Sequence, residues 1–257
     1  MSDQTPPPGA DLAGRLAFVT GGTSGIGRAV ARALAAGGAG VAIHGRSAER
    51  AEEVAGMLGA AHAGTFLADL TVDGAAQALA EEVISGLPDC DTVVLFAGAD
   101  VLTGEPASWP FERKLAELLR VDVTATMILA RALGRRMKER GAGVVITCGW
   151  DQAAVGMEGD SGELFAAAKG GLMAFTRSLA RSLGPEVRVN CVAPGWIKTA
   201  WGDKASDLWQ RRAVRESMLG RWGTPADVAA VVRWLVSPAA GFVTGQVVPV
   251  NGGFRRA

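Results

Sequence analysis

The fold of this chain is decided by the stretch Thr20-Gly21-Gly22-Thr23-Ser24-Gly25-Ile26-Gly27, which joins a short apolar run at residues 16–20 to an alanine-rich run at residues 25–36. Glycines allow a tight turn and a close approach of the backbone to a ligand. The first turn of a helix presents free N–H groups and the positive end of the helix dipole. A strand, a glycine turn and a helix in this order predict a site for a pyrophosphate group.

Strand-like and helix-like runs alternate along the rest of the chain. The composition predicts strands at residues 41–44, 65–67, 92–96, 144–148, 187–191 and 246–250, and helices at residues 48–58, 75–84, 111–137, 163–183 and 225–235. Such alternation predicts an α/β class, a single-domain Rossmann-like doubly wound parallel sheet with helices on both faces. No interior linker divides the chain. We therefore expect one domain at residues 12–257, after a flexible, proline-containing N-terminal arm at residues 1–11.

Charge and hydropathy exclude several classes of partner. Twenty-six basic residues balance 26 acidic ones, so no overall field recruits nucleic acid or an anionic membrane. No apolar run reaches the roughly 18–20 residues that span a bilayer, and the N-terminus lacks the pattern of a signal peptide. The three cysteines and two histidines have no metal-ligand spacing. We expect a cytoplasmic protein that binds no metal, nucleic acid or membrane.

The turn's spacing, T-G-x-x-x-G-x-G, resembles that of the short-chain dehydrogenase/reductase family. Further motifs follow in the family's order across nearly the whole chain: Asp69-Leu70, Ala97-Gly98, Phe165-Ala-Ala-Ala-Lys169, Pro194-Gly195 and Asn251-Gly252-Gly253. The resemblance implies a nicotinamide dinucleotide cofactor and a small-molecule substrate, which the sequence does not identify. The residues that it implies for cofactor binding are Gly21, Thr23, Ser24, Gly25, Ile26, Gly27, Asp69, Leu70, Ala97, Gly98, Lys169, Pro194, Gly195, Ile197 and Thr199.

The choice of nucleotide depends on the end of the second predicted strand. In the family an acid at this place binds both hydroxyls of the adenosine ribose and repels a 2′-phosphate. The chain has His44-Gly45-Arg46-Ser47 there, without an acid. Arg46 can donate charge-assisted hydrogen bonds to a phosphate. The sequence therefore favours NADP over NAD.

Three altered residues stand where the resemblance places the family's catalytic groups. The chain contains no tyrosine, and Phe165 occupies the first position of the Y-x-x-x-K motif. The serine that polarises the carbonyl group aligns with Trp150, and the helix asparagine aligns with Asp122. In the family the tyrosine phenol, acidified by the lysine, protonates the alkoxide that hydride transfer creates. Losing a positioned acid costs on the order of 10²–10⁴ in rate.

Lys169, at the end of the same motif, is retained. In the family its ammonium group holds the nicotinamide ribose and acidifies the tyrosine, and only the first role needs no partner at Phe165. An opposite charge nearby favours the ionised form of both groups. We therefore expect Asp122 to pair with Lys169 and to keep it charged.

Four carboxylates lie in an irregular polar loop, residues 149–162, or just after it. The stretch Asp160-Ser161-Gly162-Glu163 predicts a helix start, with Asp160 as the cap and Glu163 reaching back to it. Asp151 and Glu158 have no such structural role. They are candidates for a substitute acid, or for binding a cationic or hydroxyl-rich substrate.

Three functions stay open at this point. The first is a divergent NAD(P)-dependent oxidoreductase that transfers a hydride between nicotinamide and a carbonyl or alcohol substrate with a non-standard proton donor. The second is a non-catalytic NADP-binding sensor or partner subunit, and the third a non-redox lyase or isomerase. Residues 115–137 resemble the helix through which family members pair, which implies a homo-oligomer, a dimer or a tetramer. Residues 195–218 predict a partly helical lid.

Overall fold

The computed structural model describes residues 11–254, without the side chains of Trp201 and Lys204. The predicted flexible arm lies outside the described residues, apart from Asp11. That carboxylate accepts hydrogen bonds from the Nε group of Arg233 at 3.1 and 3.2 Å, and the next residue, Leu12, is buried. The chain therefore packs on the domain from residue 11 onward. The flexibility of residues 1–10 stays a prediction.

Within this part of the chain, seven strands form one parallel sheet. Their bounds are β1 (Leu16–Thr20), β2 (Gly40–Gly45), β3 (His62–Leu67), β4 (Thr92–Leu95), β5 (Gly143–Cys148), β6 (Val187–Pro194) and β7 (Val247–Val250). The strand order is β3-β2-β1-β4-β5-β6-β7. The order reverses direction between β1 and β4, and ligands of open parallel sheets bind at the carboxyl ends of strands beside such a switch point.

Helices connect the strands. Their bounds are α1 (Gly25–Ala36), α2 (Ala48–Leu58), α3 (Ala75–Gly86), α4 (Phe111–Leu118), α5 (Thr126–Glu139), α6 (Asp160–Leu183), α7 (Ala200–Lys204), α8 (Asp207–Glu216) and α9 (Pro225–Val236). A π-helical turn, Leu119–Ala125, joins α4 to α5 and forms one continuous helical segment with them. None of the described helices is both long and apolar enough to cross a bilayer.

Two apolar layers cover the two faces of the sheet. Alternate residues of β1 face opposite layers: Phe18 packs with α3, α5 and α6, whereas Ala17 and Val19 pack with α1, α2 and α9. Strands that are buried on both faces are apolar throughout, because no side of the strand contacts water. The predicted doubly wound parallel sheet is therefore confirmed. Burial of both faces also leaves the carboxyl ends of the strands as the open edge on which polar residues gather.

Most predicted elements agree with the observed ones to within two residues, but β3 begins three residues before its prediction, at His62, and β6 extends three residues beyond its own, to Pro194. The long helix predicted at residues 111–137 is interrupted by the π-helical turn, and the helix predicted from residue 163 begins at Asp160. The predicted cap is wrong. Gly159, with φ of +84°, is the residue before the helix, and no side chain caps it. Glycine takes this left-handed conformation without strain, so Asp160 and Glu163 lie inside the first turn, where they face the positive end of the helix dipole.

Candidate active site

The glycine turn after β1 is a close-packed cradle of backbone atoms. Gly21 has φ of +67°, and a Cβ atom there would lie 2.8 Å from the carbonyl oxygen of Phe96. A Cβ atom on Gly27 would lie 2.2 Å from the carbonyl oxygen of Gly21. Ser24 precedes α1, and its side chain makes no capping hydrogen bond. The Ser24 hydroxyl therefore does not accept a hydrogen bond from the first N–H groups of the helix. The cradle fits the pyrophosphate of a dinucleotide, which approaches backbone amides closely.

The ends of β2 and β3 provide the surface beside this cradle. Gly45 lies against Thr23, since a Cβ atom on Gly45 would be 2.5 Å from the Thr23 hydroxyl. The next residue, Arg46, is exposed. Asp69 accepts hydrogen bonds from the backbone N–H and the hydroxyl group of Thr71 at 3.0 and 2.8 Å. Burial opposes the charge of Asp69, but these bonds and Arg46 hold its pKa below the ordinary value. A guanidinium and a carboxylate thus flank the expected adenosine position.

The end of β4 is tied to the end of β1. The backbone N–H groups of Phe96 and Ala97 both donate to the Thr20 hydroxyl, at 3.0 and 3.1 Å. Gly98 follows, and a Cβ atom there would lie 3.1 Å from Oδ1 of Asp122. The chain between β4 and α4 therefore passes directly over the carboxylate of Asp122.

Lys169 and Asp122 form a buried ion pair. The Lys169 Nζ atom lies 2.6 Å from Oδ1 of Asp122, and the two side chains are 10% and 1% exposed. The other carboxylate oxygen accepts a hydrogen bond from the Ala99 N–H at 2.8 Å. Burial disfavours the Lys169 ammonium group, but the adjacent carboxylate outweighs burial and raises the pKa of Lys169. The expected pairing is confirmed, and Lys169 carries its charge.

The position of Asp122 depends on the π-helical turn. This turn holds Asp122 in the middle of the segment Leu119–Ala125, with Val121 and Ala125 also buried. A π turn inserts an extra residue into a helix, and such turns are frequent at functional sites. The carboxylate thereby reaches both the ammonium group of α6 and the backbone after β4. Removing either charged partner would leave the other one buried and unpaired.

Aromatic rings fill the next part of the site. Phe165 lies one helical turn before Lys169, and its ring packs edge-to-face against Trp150, with 6.2 Å between the ring centroids. Both side chains are partly exposed. Phe165 also packs on Leu164, Ala168 and their apolar neighbours under α4. One helical turn from Lys169 the site therefore presents aromatic surface, at positions where the resemblance implies hydroxyl groups.

Asp151 directly follows Trp150 in the chain and is partly buried. Its Oδ2 atom accepts a hydrogen bond from the side-chain amide of Asn251 at 3.0 Å, and its Oδ1 atom accepts one from the Gln152 N–H at 2.8 Å. A Cβ atom on Gly195 would lie 2.9 Å from the same Oδ2 atom. Burial raises the pKa of Asp151 to about 6 against these hydrogen bonds, with a smaller contribution from the negative charge of Glu216.

The segment after β6 connects Asp151 to the glycine turn. Pro194 ends β6, and Gly195 contacts the Asp151 carboxylate, as above. Ile197 is buried. Thr199, the residue before α7, lies close to the cradle, because a Cβ atom on Gly25 would lie 3.9 Å from the Thr199 methyl carbon. The segments predicted for cofactor binding, residues 21–27 and 194–199, thus approach each other at Gly25 and Thr199.

The lid, residues 195–218, is fastened by an ion-pair network. Arg212 of α8 makes two hydrogen bonds to Glu158, at 2.7 and 3.1 Å, and one to Glu216 at 2.7 Å. Glu216 also accepts a hydrogen bond from the indole N–H of Trp196 at 2.8 Å. The Trp196 ring packs on Trp209, with 5.5 Å between centroids. Glu158, a candidate acid by sequence, instead holds the lid, and Arg212 keeps the pKa of Glu158 below its ordinary value.

Two residues of this site were missed from the sequence. Asn251 positions Asp151, and its signal was its place at the end of the last predicted strand, where carboxyl ends of parallel strands meet. Glu216 lies near Asp151 and holds Trp196. Its signal was the four-residue spacing from Arg212 on a helix, which brings the two side chains onto one face.

Comparisons with known proteins agree on the family. The family model described as enoyl-(acyl carrier protein) reductase matches residues 21–255. A 3-oxoacyl-[acyl-carrier-protein] reductase of Aquifex aeolicus (strain VF5) is 36% identical over 250 residues, covering 94% of this chain and 98% of the relative. A galactitol 2-dehydrogenase (L-tagatose-forming) of Cereibacter sphaeroides is 34% identical over 253 residues, with 95% and 96% covered.

The comparison with solved structures gives the same result. The structure of a 7α-hydroxysteroid dehydrogenase complexed with NADH and 7-oxo glycochenodeoxycholic acid is similar, with a TM-score of 0.85 at 27% identity. The similarity covers 98% of this chain and 99% of that one. Sequence and structure relatives thus cover the glycine turn, the Lys169 helix and the lid together. The chain belongs to the short-chain dehydrogenase/reductase family of oxidoreductases, which use nicotinamide dinucleotides.

Proposed function

We propose that this chain is an NADP-dependent oxidoreductase that transfers a hydride without a phenolic acid. The cradle at residues 21–27 would hold the pyrophosphate, Arg46 the 2′-phosphate, and Lys169 the nicotinamide ribose. When bound, NADP supplies the hydride chemistry. The residues of this chain orient the nucleotide, shield the pocket from water and control the charge and the proton at the substrate.

The observation that carries this proposal is the buried Lys169–Asp122 ion pair. Burying an ammonium group costs several kcal/mol unless a partner and hydrogen bonds offset the cost. Here one carboxylate lies 2.6 Å from the Lys169 Nζ atom and is itself held by the Ala99 N–H. The lysine thus stays charged without a neighbouring phenol. This arrangement suits a lysine that binds the nucleotide. It suits less well a lysine that acidifies a tyrosine.

Asp151 is our proposed proton donor. Catalytic acids work best when their pKa lies near the working pH. Burial raises the pKa of Asp151 to about 6, and Asn251 and the Gln152 N–H orient its two oxygen atoms. It contacts Gly195, in the segment that covers the nicotinamide in the family. The carboxyl group therefore combines a suitable pKa with a position at the cofactor segment.

The Trp150–Phe165 contact favours a second function, a non-catalytic NADP-binding sensor or partner subunit. Aromatic rings with centroids 6.2 Å apart stand at the positions where the resemblance implies a serine and a tyrosine. A chain that only binds the nucleotide needs the cradle, Arg46 and Lys169, and it does not need an acid. Nucleotide binding is thus common to both functions, and turnover separates them.

The test has two stages. Titration with NADPH and NADH, followed by the quenching of tryptophan fluorescence, measures both affinities; we expect NADPH to bind more tightly. NADPH oxidation is then followed at 340 nm against carbonyl and imine compounds, in the wild type and in Asp151→Asn. Oxidation that Asp151→Asn lowers supports the proposed enzyme. Tight NADPH binding with no oxidation of any compound favours the non-catalytic function, and failure to bind either nucleotide contradicts both.

We also propose that the chain forms a homo-oligomer through α4 and α5. The exposed side chains of Leu119 and Arg131 lie on or between these helices. Light scattering coupled to size-exclusion chromatography measures the mass directly. A mass of two or four chains supports the proposal, and a monomer of 26.4 kDa contradicts it.

A further inference from the structure

We propose that the substrate of this site is an imine, bound as its protonated, cationic form between the Trp150 and Phe165 rings and the Asp151 carboxylate. The proposal rests on the function proposed above and names its substrate class. It follows from three properties of the described pocket: its charge, its aromatic surface and the proton that Asp151 can supply.

The first property is charge. The ammonium of Lys169 would repel a cationic substrate, but the Asp122 carboxylate at 2.6 Å makes the pair neutral. The positive charge of Arg212 is likewise more than offset by two negative charges, since Arg212 contacts both Glu158 and Glu216. Asp151 lies near Glu216 and adds a further negative charge when ionised. The charges around the pocket therefore sum to a negative value, and a cation is the favoured ligand.

The second property is the aromatic surface. The negative face of an indole or phenyl ring attracts a cation, most strongly for tryptophan. Trp150 and Phe165 pack edge-to-face and are partly exposed, so the two rings present differently oriented surfaces. Phe165 lies one helical turn before Lys169. Trp150 is continuous with Asp151 in the chain, which places the ring and the carboxylate on one short segment. Together, aromatic rings and a carboxylate attract a flat or small cation more strongly than a neutral carbonyl compound.

The third property is the proton chemistry. A neutral carbonyl group that accepts a hydride becomes an alkoxide, which needs a strong local donor, and the phenylalanine at position 165 offers none. An imine nitrogen is more basic than a carbonyl oxygen, so a carboxyl group with a pKa of about 6 can protonate it before reduction. The carboxylate that remains is then the counter-ion of the iminium. The missing phenol is thereby no handicap for this class of substrate.

The bonds and electrons balance in this reaction. Asp151 gives its proton to the imine nitrogen, and an N–H bond forms. The reduced nicotinamide cofactor, when bound, would supply the hydride for a C–H bond at the imine carbon. The two electrons of the C=N π bond become the nitrogen lone pair, so the substrate is reduced to an amine while the cofactor is oxidised. Asp151 takes back a proton from water after the amine leaves.

Binding of a permanently charged probe tests the proposal without turnover. N-methyl-3,4-dihydroisoquinolinium and the neutral 1-tetralone have the same bicyclic shape. Calorimetric titration of the full chain, without nucleotide, should give a dissociation constant at least about tenfold lower for the cation. Asp151→Asn should remove most of this preference, and Trp150→Leu should weaken cation binding by roughly 2- to 30-fold. Glu163→Gln removes an exposed carboxylate of α6 and should change nothing.

Rates of NADPH oxidation distinguish the imine proposal from the oxidoreductase function on which it rests. With NADPH, the wild type should reduce 3,4-dihydroisoquinoline at a kcat/KM at least about 100-fold above that for 1-tetralone, the loss expected where a positioned acid is missing. Equal affinity for cation and ketone, or a preference that persists in Asp151→Asn, overturns the imine proposal. Faster reduction of 1-tetralone also overturns it and leaves the oxidoreductase function standing. Failure to bind NADPH overturns the oxidoreductase function itself.

Discussion

The glycine turn after β1 and the pocket around Lys169 differ in what holds them in place. The turn is held by backbone atoms so close that no side chain fits, as the 2.2 Å approach of a Cβ atom at Gly27 illustrates. The pocket is held by side chains, among them the Lys169–Asp122 ion pair and the Trp150–Phe165 ring contact. Backbone sites tolerate almost no change, whereas side-chain sites change without altering the fold. The side chains of the pocket are therefore freer to change than the backbone of the turn.

The largest expected effect comes from filling the backbone cradle. Gly27→Ala places a Cβ atom on the Gly21 carbonyl group, so the turn must open. We expect NADPH affinity to fall by more than about 100-fold and the free energy of unfolding to fall by about 3 kcal/mol or more. Fluorescence titration and chemical denaturation measure the two quantities.

Gly56→Ala is the matched control for this change. Gly56 lies within α2, and a Cβ atom there meets nothing within 4 Å. Alanine is the better helix former, so we expect a gain of about 0.5–1 kcal/mol with unchanged NADPH affinity. If Gly27→Ala behaves like Gly56→Ala, the cradle is not closely packed and the contrast between the two regions fails.

Breaking the ion pair of the pocket is expected to cost nearly as much stability. Lys169→Met leaves the Asp122 carboxylate, 1% exposed, without its cation. Loss of one partner from a buried pair costs about 3–5 kcal/mol. Lys198→Met is the control, because its pair with Asp203 is exposed and should contribute less than about 1 kcal/mol. Urea denaturation of both variants measures the difference, and equal losses would contradict a buried, charged Lys169.

Asp151 should give the pocket a pH-dependent stability. Its pKa is raised to about 6 in the folded chain, so the folded state binds the proton more tightly than the unfolded one. The contribution is fully present below about pH 4 and is lost as the pH rises to about 6. The free energy of unfolding of Asp151→Asn should therefore rise by about 2 kcal/mol relative to that of the wild type as the pH increases from about 4 to about 6.

Thermal or urea denaturation across pH 3–8 measures this gain. Asp160→Asn, which alters an exposed carboxylate in the first turn of α6, is the control and should not change the profile. A profile of Asp151→Asn that runs parallel to the wild type between pH 4 and pH 6 would mean that Asp151 is not held protonated. The acid role proposed for it would then have no support.

The smallest expected effect concerns the choice of nucleotide. Arg46→Ala removes the exposed cation at the end of β2 and should weaken NADPH binding by about tenfold, with NADH affinity unchanged. Arg50→Ala, one turn into α2, removes a neighbouring exposed cation and should affect both nucleotides less. Competitive titration of NADPH against NADH measures the ratio. Equal losses for both nucleotides would contradict a 2′-phosphate contact.

The same contrast explains what the sequence could predict. Apolar runs indicate strands and helices, and glycines indicate tight turns. The strands, the doubly wound sheet and the cradle could therefore be predicted from the local sequence pattern. The Lys169–Asp122 pair could also be expected, because opposite charges stood at two aligned positions. The π-helical turn that positions Asp122 was not predicted, because residues 111–137 have the pattern of one long helix.

Contacts between distant segments could not be read from the sequence. Asn251 reaches Asp151 across 100 residues, and Glu158 reaches Arg212 across 54. The cap predicted at Asp160 failed because Gly159, with positive φ, already ended the loop. The partners in such contacts are set by the tertiary structure and not by neighbouring residues in the sequence.

Single-turnover NADPH oxidation by the wild type and by Phe165→Tyr tests the central claim most directly, that this pocket transfers a hydride without a phenol. The measurement uses excess protein, with 3,4-dihydroisoquinoline and 1-tetralone as acceptors. We expect the wild type to oxidise NADPH with the imine, and Phe165→Tyr to add less than about tenfold with either acceptor, since one hydroxyl does not restore a positioned acid pair. A wild type inert with both acceptors, beside a Phe165→Tyr variant that reduces 1-tetralone about 10²–10⁴ times faster, would contradict the account.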